Sequence, residues 1–265
     1  MTIPNLGLVE DDDIALDLAA LALSALDHPE LDTAPHASLL QAISDSLRGA
    51  GAGAIAAHDQ AAALARVLHG EYGFRGDEAS YDAPLNGDMI RVLDRRRGLP
   101  VSLSILYVAA ARRVGWTAVP LNTPGHVLVR LGTDEPVIID PFNGGALVRH
   151  EQLFALLNRA AAAGADIAPD RVGPMSNRTT LVRLLMNQAT RAEGAGDGGR
   201  ALTLFDRMTK VAPDNCDGWW GLARLQLGAG MVEPARKSLS AILEVTRDQD
   251  RRQLVVSLLE KISDG

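Results

Sequence analysis

The sequence predicts an α+β protein: a helical N-terminal part, a small antiparallel sheet beside one central helix, and an α-helical C-terminal tail. Three observations carry this. Apolar residues recur at helical spacing between residues 10 and 75. Between residues 76 and 160 a long apolar helix is followed by short alternating runs. From 178 to 263 the helical pattern returns and repeats itself.

In the N-terminal part, Asp11, Asp12 and Asp13 precede Ile14, Leu18, Leu21 and Leu26. Acidic residues in a first turn suit the helix dipole, so a helix with these leucines inward is expected, ending near His28-Pro29. A second helix is expected from Ala37 to Arg48, broken by Gly49-Ala50-Gly51-Ala52-Gly53. A third spans Asp59 to Tyr72 with Leu64, Val67 and Leu68 inward, and Gly73 to Gly76 closes it.

The character changes at residue 76. Tyr81-Asp82-Ala83-Pro84-Leu85-Asn86-Gly87 is rich in turn residues and reads as an irregular loop. Asp88 to Arg97 forms a short helix whose Arg95-Arg96-Arg97 end is expected in solvent, where cations suit the dipole. Gly98-Leu99-Pro100 interrupts the chain, and Pro100 is suited to a first helical position. Val101 to Val114 carries the broad apolar face Leu103, Leu106, Tyr107, Ala110 and Val114, with Gly115 as its stop. Strand-like runs follow at Thr117 to Leu121, His126 to Leu131 and Val137 to Ile139. The turn Gly132 to Pro136 makes the last two an antiparallel hairpin. A further helix covers 151 to 164, and Ala161 to Gly173 is expected to be a mobile connection.

The tail repeats at a shift of 34 residues, as between Gly194 and Gly228. The same shift pairs Gly196 with Gly230, Ala201 with Ala235, Phe205 with Leu239, and Val211 with Val245. Tetratricopeptide repeats have this period. Trp219, Leu222 and Ala223 match the Trp, Leu and small positions of the second repeat's first helix, and Pro213 matches the proline ending the first repeat. Small residues such as Ala201 and Ala235 let paired helices approach. The repeats make residues 178–263 a candidate groove for a protein or peptide partner.

Charge and cysteine usage narrow the function. A net charge of -7 disfavours a nucleic-acid partner, since phosphate contacts need clustered Lys and Arg. Cys216 is the only cysteine, so no intramolecular disulfide is possible and a reducing, cytoplasmic compartment fits. Met1 to Asp13 has no basic stretch leading into an apolar one, so no secretory leader is expected, and no apolar run suits a membrane span. The histidines have no metal-ligand spacing, and there is no phosphate-cradling or dinucleotide-binding glycine motif; no metal and no cofactor are expected.

The chemistry lies in the central part. His126 follows Thr123-Pro124-Gly125, and Asp140 ends Val137-Ile138-Ile139. On neighbouring antiparallel strands the two side chains meet: the carboxylate orients the imidazole, and the imidazole serves as a base. A nucleophile would profit from the start of the helix near Pro100, where partial positive charge stabilises a thiolate or an oxyanion. The residues there are Pro100, Ser102 and Ser104. Ser102 either caps the helix or is a nucleophile. Asp140 before Pro141 is equally suited to an Asx-turn. Asn86 and Asn122 either line the same cleft or anchor loops.

Gly98-Leu99-Pro100 running on to Gly115, then Pro124-Gly125-His126 and Ile139-Asp140-Pro141-Phe142, resembles the transglutaminase-like superfamily, with its papain-like core. Tyr81 to Asn86 and the repeat tail bring it closer to the bacterial branch described as regulators of sirC expression. The resemblance spans roughly residues 10 to 255. It implies three parts: an N-terminal helical part at 10–75, a transglutaminase-like core at 76–160, and two tetratricopeptide-like repeats at 178–263. It implies catalytic roles for His126 and Asp140. Counting back from Gly115, the family's cysteine falls on Pro100, which has neither a nucleophilic side chain nor an N–H donor. Thiol catalysis is therefore not expected there. The expectation is a non-catalytic regulatory or scaffolding module that binds partners through the core cleft and the repeats. The alternatives are a serine-based hydrolase or acyltransferase using Ser102 or Ser104 with His126 and Asp140, or a sensor of a small ligand in the same cleft.

Overall fold

A computed structural model of the protein describes residues 6–162, 164 and 173–262. Most of the connection expected between Ala161 and Gly173 lies outside the described residues. The chain divides into two compact units, one of residues 10–180 and one built on residues 181–265 with the first nine.

In the first unit, Asp11–Asp13 form a 3₁₀ turn of their own, and helix α1 runs over Leu16–Ala25. Ile14 is extended, so the helical phase starts at Leu16 rather than Ile14. The buried stripe therefore includes Leu16, Ala19, Ala20 and Leu23, while Leu18 and Leu26 are exposed, contrary to expectation. Asp11 serves a different helix: its carboxylate accepts the backbone N–H groups of Asn177 and Arg178 at 2.9 and 2.8 Å. Those are first-turn donors of helix α7, Asn177–Gly194, left without partners inside the helix.

Helices α2 (Ala34–Ala50) and α3 (Ala57–Leu64) follow, and α3 continues into a π-helical turn over Ala65–Glu71. Leu64, Val67 and Leu68 are buried as expected. Strand β1 (Arg75–Gly76) pairs in parallel with β2 (Arg97–Gly98), bracketing helix α4 (Met89–Arg95), which Asp88 caps. The arginine run is not a solvated helix end. Arg95 pairs with Asp77 at 2.6 Å and donates to Asn86. Arg96 adopts φ 59° and sets its guanidinium 4.9 Å from the Phe74 ring centroid, and Arg97 belongs to β2.

Helix α5, Pro100–Arg113, is the core of this unit. Every residue from Pro100 to Ala111 is buried, so the helix is enclosed all round, not on one face. It packs against α1 and α2 and against strands β3 (Ala118–Thr123) and β4 (His126–Leu131). β5 (Val137–Asp140), β6 (Ala146–Leu147) and β7 (Gly173–Pro174) complete an antiparallel sheet of order β6-β5-β4-β3-β7. The three strands read from alternation are present. β6 and β7, each two residues long, were too short to show a period. Helix α6, His150–Ala162, follows β6.

The second unit contains most of α7, then α8 (Gly198–Val211), α9 (Cys216–Gly228), α10 (Val232–Val245) and α11 (Gln249–Lys261). The repeat is structural: Gly196 and Gly230 occupy equivalent turns at φ 77° and 72°, and Ala201 and Ala235 are both fully buried. Close approach between α8 and α9 depends on Gly221, where an added Cβ would lie 2.2 Å from the Phe205 ring. The Trp219 indole donates to the Pro213 carbonyl at 2.7 Å. α11, not anticipated as a third layer, buries Val255 against Ala223, Leu239 and Ile242. Ion pairs join Glu193 of α7 to Arg224 of α9, and Asp217 of α9 to Arg251 of α11.

Candidate functional site

Thr123 and His126 pair across a two-residue turn, and Gly125 supplies the φ of 73° that the turn requires. This fixes His126 as the first residue of β4. Val129 lies opposite Ile139 in the antiparallel β4–β5 pair, which brings His126 beside Asp140 at the far end of β5. Alternation then sets His126, Leu128 and Asp140 on one sheet face and Val127, Val129 and Ile139 on the other.

His126 Nε2 and Asp140 Oδ1 are 2.9 Å apart. The carboxylate has other partners too. Oδ1 also accepts the Phe142 and Asn143 backbone N–H groups, and Oδ2 accepts the Asn143 side-chain amide at 2.7 Å. Both anticipated arrangements, the Asx-turn and the histidine partner, thus coexist. Burial pushes the Asp140 carboxyl up, but His126 and the Asn143 donors outweigh it and hold the group below the usual carboxylate range. The imidazole meets the Phe142 ring edge-on at 5.8 Å, and Phe142 meets Tyr81 in the same way. Among the described residues Nδ1 of His126 makes no hydrogen bond.

The start of α5 holds no nucleophile aimed at this pair. Pro100 is its first residue and is buried; Leu99 is the cap and makes no side-chain capping bond, so Ser102 is not the cap. The Ser102 hydroxyl donates to the Asn86 carbonyl at 2.7 Å, and the Ser104 hydroxyl to the Val127 carbonyl at 3.1 Å. Ser104 therefore marks the helix face that meets the start of β4. Pro100 lies on that same face, one turn and about 6 Å earlier. Tyr107 is fully buried; desolvation and the nearby Asp140 charge push its phenol well above its ordinary value.

Asn86 is an anchor. Fully buried, it donates its amide to the Ser80 and Tyr81 carbonyls and accepts from Arg95, while its own carbonyl takes the Leu99 N–H and the Ser102 hydroxyl. Asn122 pairs with Val127 and Gly173, so it projects to the sheet face opposite His126.

His126 and Asp140 open onto a cleft of about 620 Å³. Its walls are Leu128, Asn143 and Ala146–Val148 on the sheet side, and Gln152, Ala155, Leu156 and Arg159 on α6. Ser104, Asn86 and Asn122, candidates for lining this cleft, are not among its walls. A separate hollow is lined by Trp116, Ile55 and Pro136. Gln152 and Arg159 escaped sequence reasoning, because helical periodicity does not say which sheet face a helix covers. Asn143 was recoverable: Asp140-Pro141-Phe142-Asn143 is a turn sequence whose amide follows the carboxylate by three residues. Among the described residues no cluster of three or more His, Cys, Asp or Glu is placed to hold a metal ion, and no helix is long and apolar enough to cross a membrane.

Comparison with known proteins agrees with this architecture. A family model described as the transglutaminase-like superfamily matches residues 35–186, and a tetratricopeptide repeat model matches residues 192–262. A UPF0162 protein of Xylella fastidiosa (strain Temecula1) is 33% identical over 233 residues, 84% of this chain and 82% of its own length. F-box only protein 21 of Mus musculus is 41% identical over 68 residues, 26% of this chain and 11% of its own. The crystal structure of menin aligns over 91% of this chain and 68% of its own, with a TM-score of 0.45 and 14% identity, a likeness that carries no argument.

Proposed function

The chain belongs to the transglutaminase-like superfamily and ends in tetratricopeptide repeats, and from that premise we propose that it is a non-catalytic member, a regulatory or scaffolding module of the reducing cytoplasm. Its core cleft holds a ligand or partner segment, and its repeats engage a protein or peptide.

One observation carries this reading. The helix start that faces β4 bears Pro100, and both nearby hydroxyls are committed to backbone carbonyls, Ser102 to Asn86 and Ser104 to Val127. A nucleophilic hydroxyl must give its proton to a base within hydrogen-bond reach. In this site the base, His126, is held by Asp140 with neither serine bonded to it. A histidine–aspartate pair without a nucleophile orients and binds; it does not form a covalent intermediate. The repeats support the partner-binding half, since stacked helical repeats present extended surfaces to other chains.

The test is labelling with a serine-directed fluorophosphonate. The wild type should remain unlabelled, and Ser102→Ala and Ser104→Ala should change nothing. Stoichiometric labelling that Ser102→Ala or Ser104→Ala abolishes, and that needs His126, overturns the reading in favour of a serine hydrolase.

A further inference from the structure

The cleft beside α6 is lined by an exposed cation that pairs with no group among the described residues. Asp140 is saturated by His126, two backbone N–H groups and the Asn143 amide. Gln152 spends its carbonyl oxygen on the Arg149 N–H at 2.8 Å, which leaves its amide hydrogens. The Arg159 guanidinium makes no hydrogen bond or ion pair among the described residues, although it lines the same walls. The cleft thus offers the five N–H donors of Arg159 and the amide of Gln152, against two neutral side-chain acceptors, the Asn143 carbonyl oxygen and the Nδ1 of a neutral His126 whose Nε2 donates to Asp140. The accessible apolar lining is Leu147, Ala155 and Leu156, while Leu128 is fully buried.

We propose that this cleft is a receptor for a carboxylate carried on a compact apolar body, with Arg159 taking the carboxylate and the leucine walls taking the body. This rests on the reading of the core as a binding cleft. A guanidinium matches a carboxylate through two parallel N–H···O bonds, which gives geometry as well as energy. The volume of about 620 Å³ lies within the roughly 300–1,000 Å³ of small-ligand sites. The carboxylate comes either from a free organic acid or from the C-terminus of a peptide, and both present the same group to Arg159.

The full-length protein is titrated with N-acetyl-leucine, N-acetyl-leucinamide, and an N-acetylated pentapeptide ending in leucine with a free or an amidated terminus. Binding is read by calorimetry and by the Arg159 Nε–H resonance. Both acids should bind saturably and move that resonance, and both amides should bind at least about tenfold more weakly, as expected when a charge-assisted hydrogen bond is lost. Arg159→Gln should weaken the acids by a similar factor, whereas Arg48→Gln, which removes a surface charge paired with Asp45, should not. Equal affinities for the two acids assign the site to free acids; a pentapeptide preference of about tenfold, roughly 1.4 kcal/mol, assigns it to chain termini. Acids that fail to bind, amides that bind equally well, or affinities untouched by Arg159→Gln overturn the proposal. That outcome leaves the fluorophosphonate test unaffected, so a cleft of other chemistry and an active serine enzyme remain distinguishable.

Discussion

Replacing Asn86 with alanine separates an anchor from a ligand-binding residue. The side chain is fully buried and makes three hydrogen bonds: to the Ser80 carbonyl at 2.6 Å, to the Tyr81 carbonyl at 3.3 Å, and from Arg95 at 3.0 Å. The two neutral bonds contribute about 1 kcal/mol each and the charged one about 1.5. Arg95 keeps Asp77, and the Asn86 backbone carbonyl keeps Leu99 and Ser102, so the loss is mainly of these three, with the Asn86 contribution to Asp77 lost as well. The expected destabilisation is about 3.5 kcal/mol, which raises exchange of the slowest α5 amides roughly 350-fold where exchange follows opening free energy. Hydrogen exchange read by mass spectrometry on peptides from 99–113 measures it locally, without assuming that the whole chain unfolds in one step. A change of less than about fivefold, near 1 kcal/mol, refutes the anchor assignment. Asn86 would then have to owe its place to something it binds.

Three further outcomes follow. Gly221→Ala places a Cβ 2.2 Å from the Phe205 ring, and overpacking of this kind should cost about 1–3 kcal/mol; unchanged urea unfolding of the repeat unit would show that α8 and α9 separate freely. Ser102→Ala removes one buried hydroxyl bond and should cost about 1 kcal/mol, read by the same α5 exchange. The third concerns acid. The Asp140 carboxyl is held below its unfolded value, near 3.9, so the folded state binds fewer protons in that window. Its contribution is therefore present above the unfolded value and is lost as pH falls through the lower folded one. His126→Ala removes a principal lowering cause and brings the folded value closer to the unfolded one, so the variant should lose less stability than the wild type as pH falls below about 4. Parallel stability curves for the two proteins between pH 6 and 3 would exclude the coupling.

What could be read from the sequence has a physical pattern. β4 alternates and α8 to α10 repeat because burial imposes a period, and a period survives without knowledge of what covers each face. The Thr123 to His126 turn and the Asp140 turn were equally visible, because proline, glycine and aspartate act on their own backbone. The arginine run misled: a charge-dense segment looks solvated unless its partners, here Asp77, Asn86 and the Phe74 ring, are known to arrive from elsewhere. Asp11 misled for the same reason, as its helix lies 166 residues away. The cleft residues Gln152 and Arg159 sit on a helix that was expected, but its placement on the His126 face follows from the sheet and from no local signal.

The two members of the pair do not carry equal weight as evidence. Asp140 is over-determined: a chain with no chemistry at all would still need a carboxylate there, to accept the Phe142 and Asn143 N–H groups and the Asn143 side chain. Its presence therefore says little about activity. His126 is different. It has one hydrogen bond, to a carboxylate that three other donors already satisfy, and one edge contact with Phe142. Nothing in the fold requires an imidazole at the first residue of β4, where the turn is set by Pro124 and Gly125. His126 is therefore the member of the pair whose replacement is least expected to disturb the local backbone. The role of this core is therefore to be sought by varying His126 together with Arg159, while changes at Asp140 report mainly on folding.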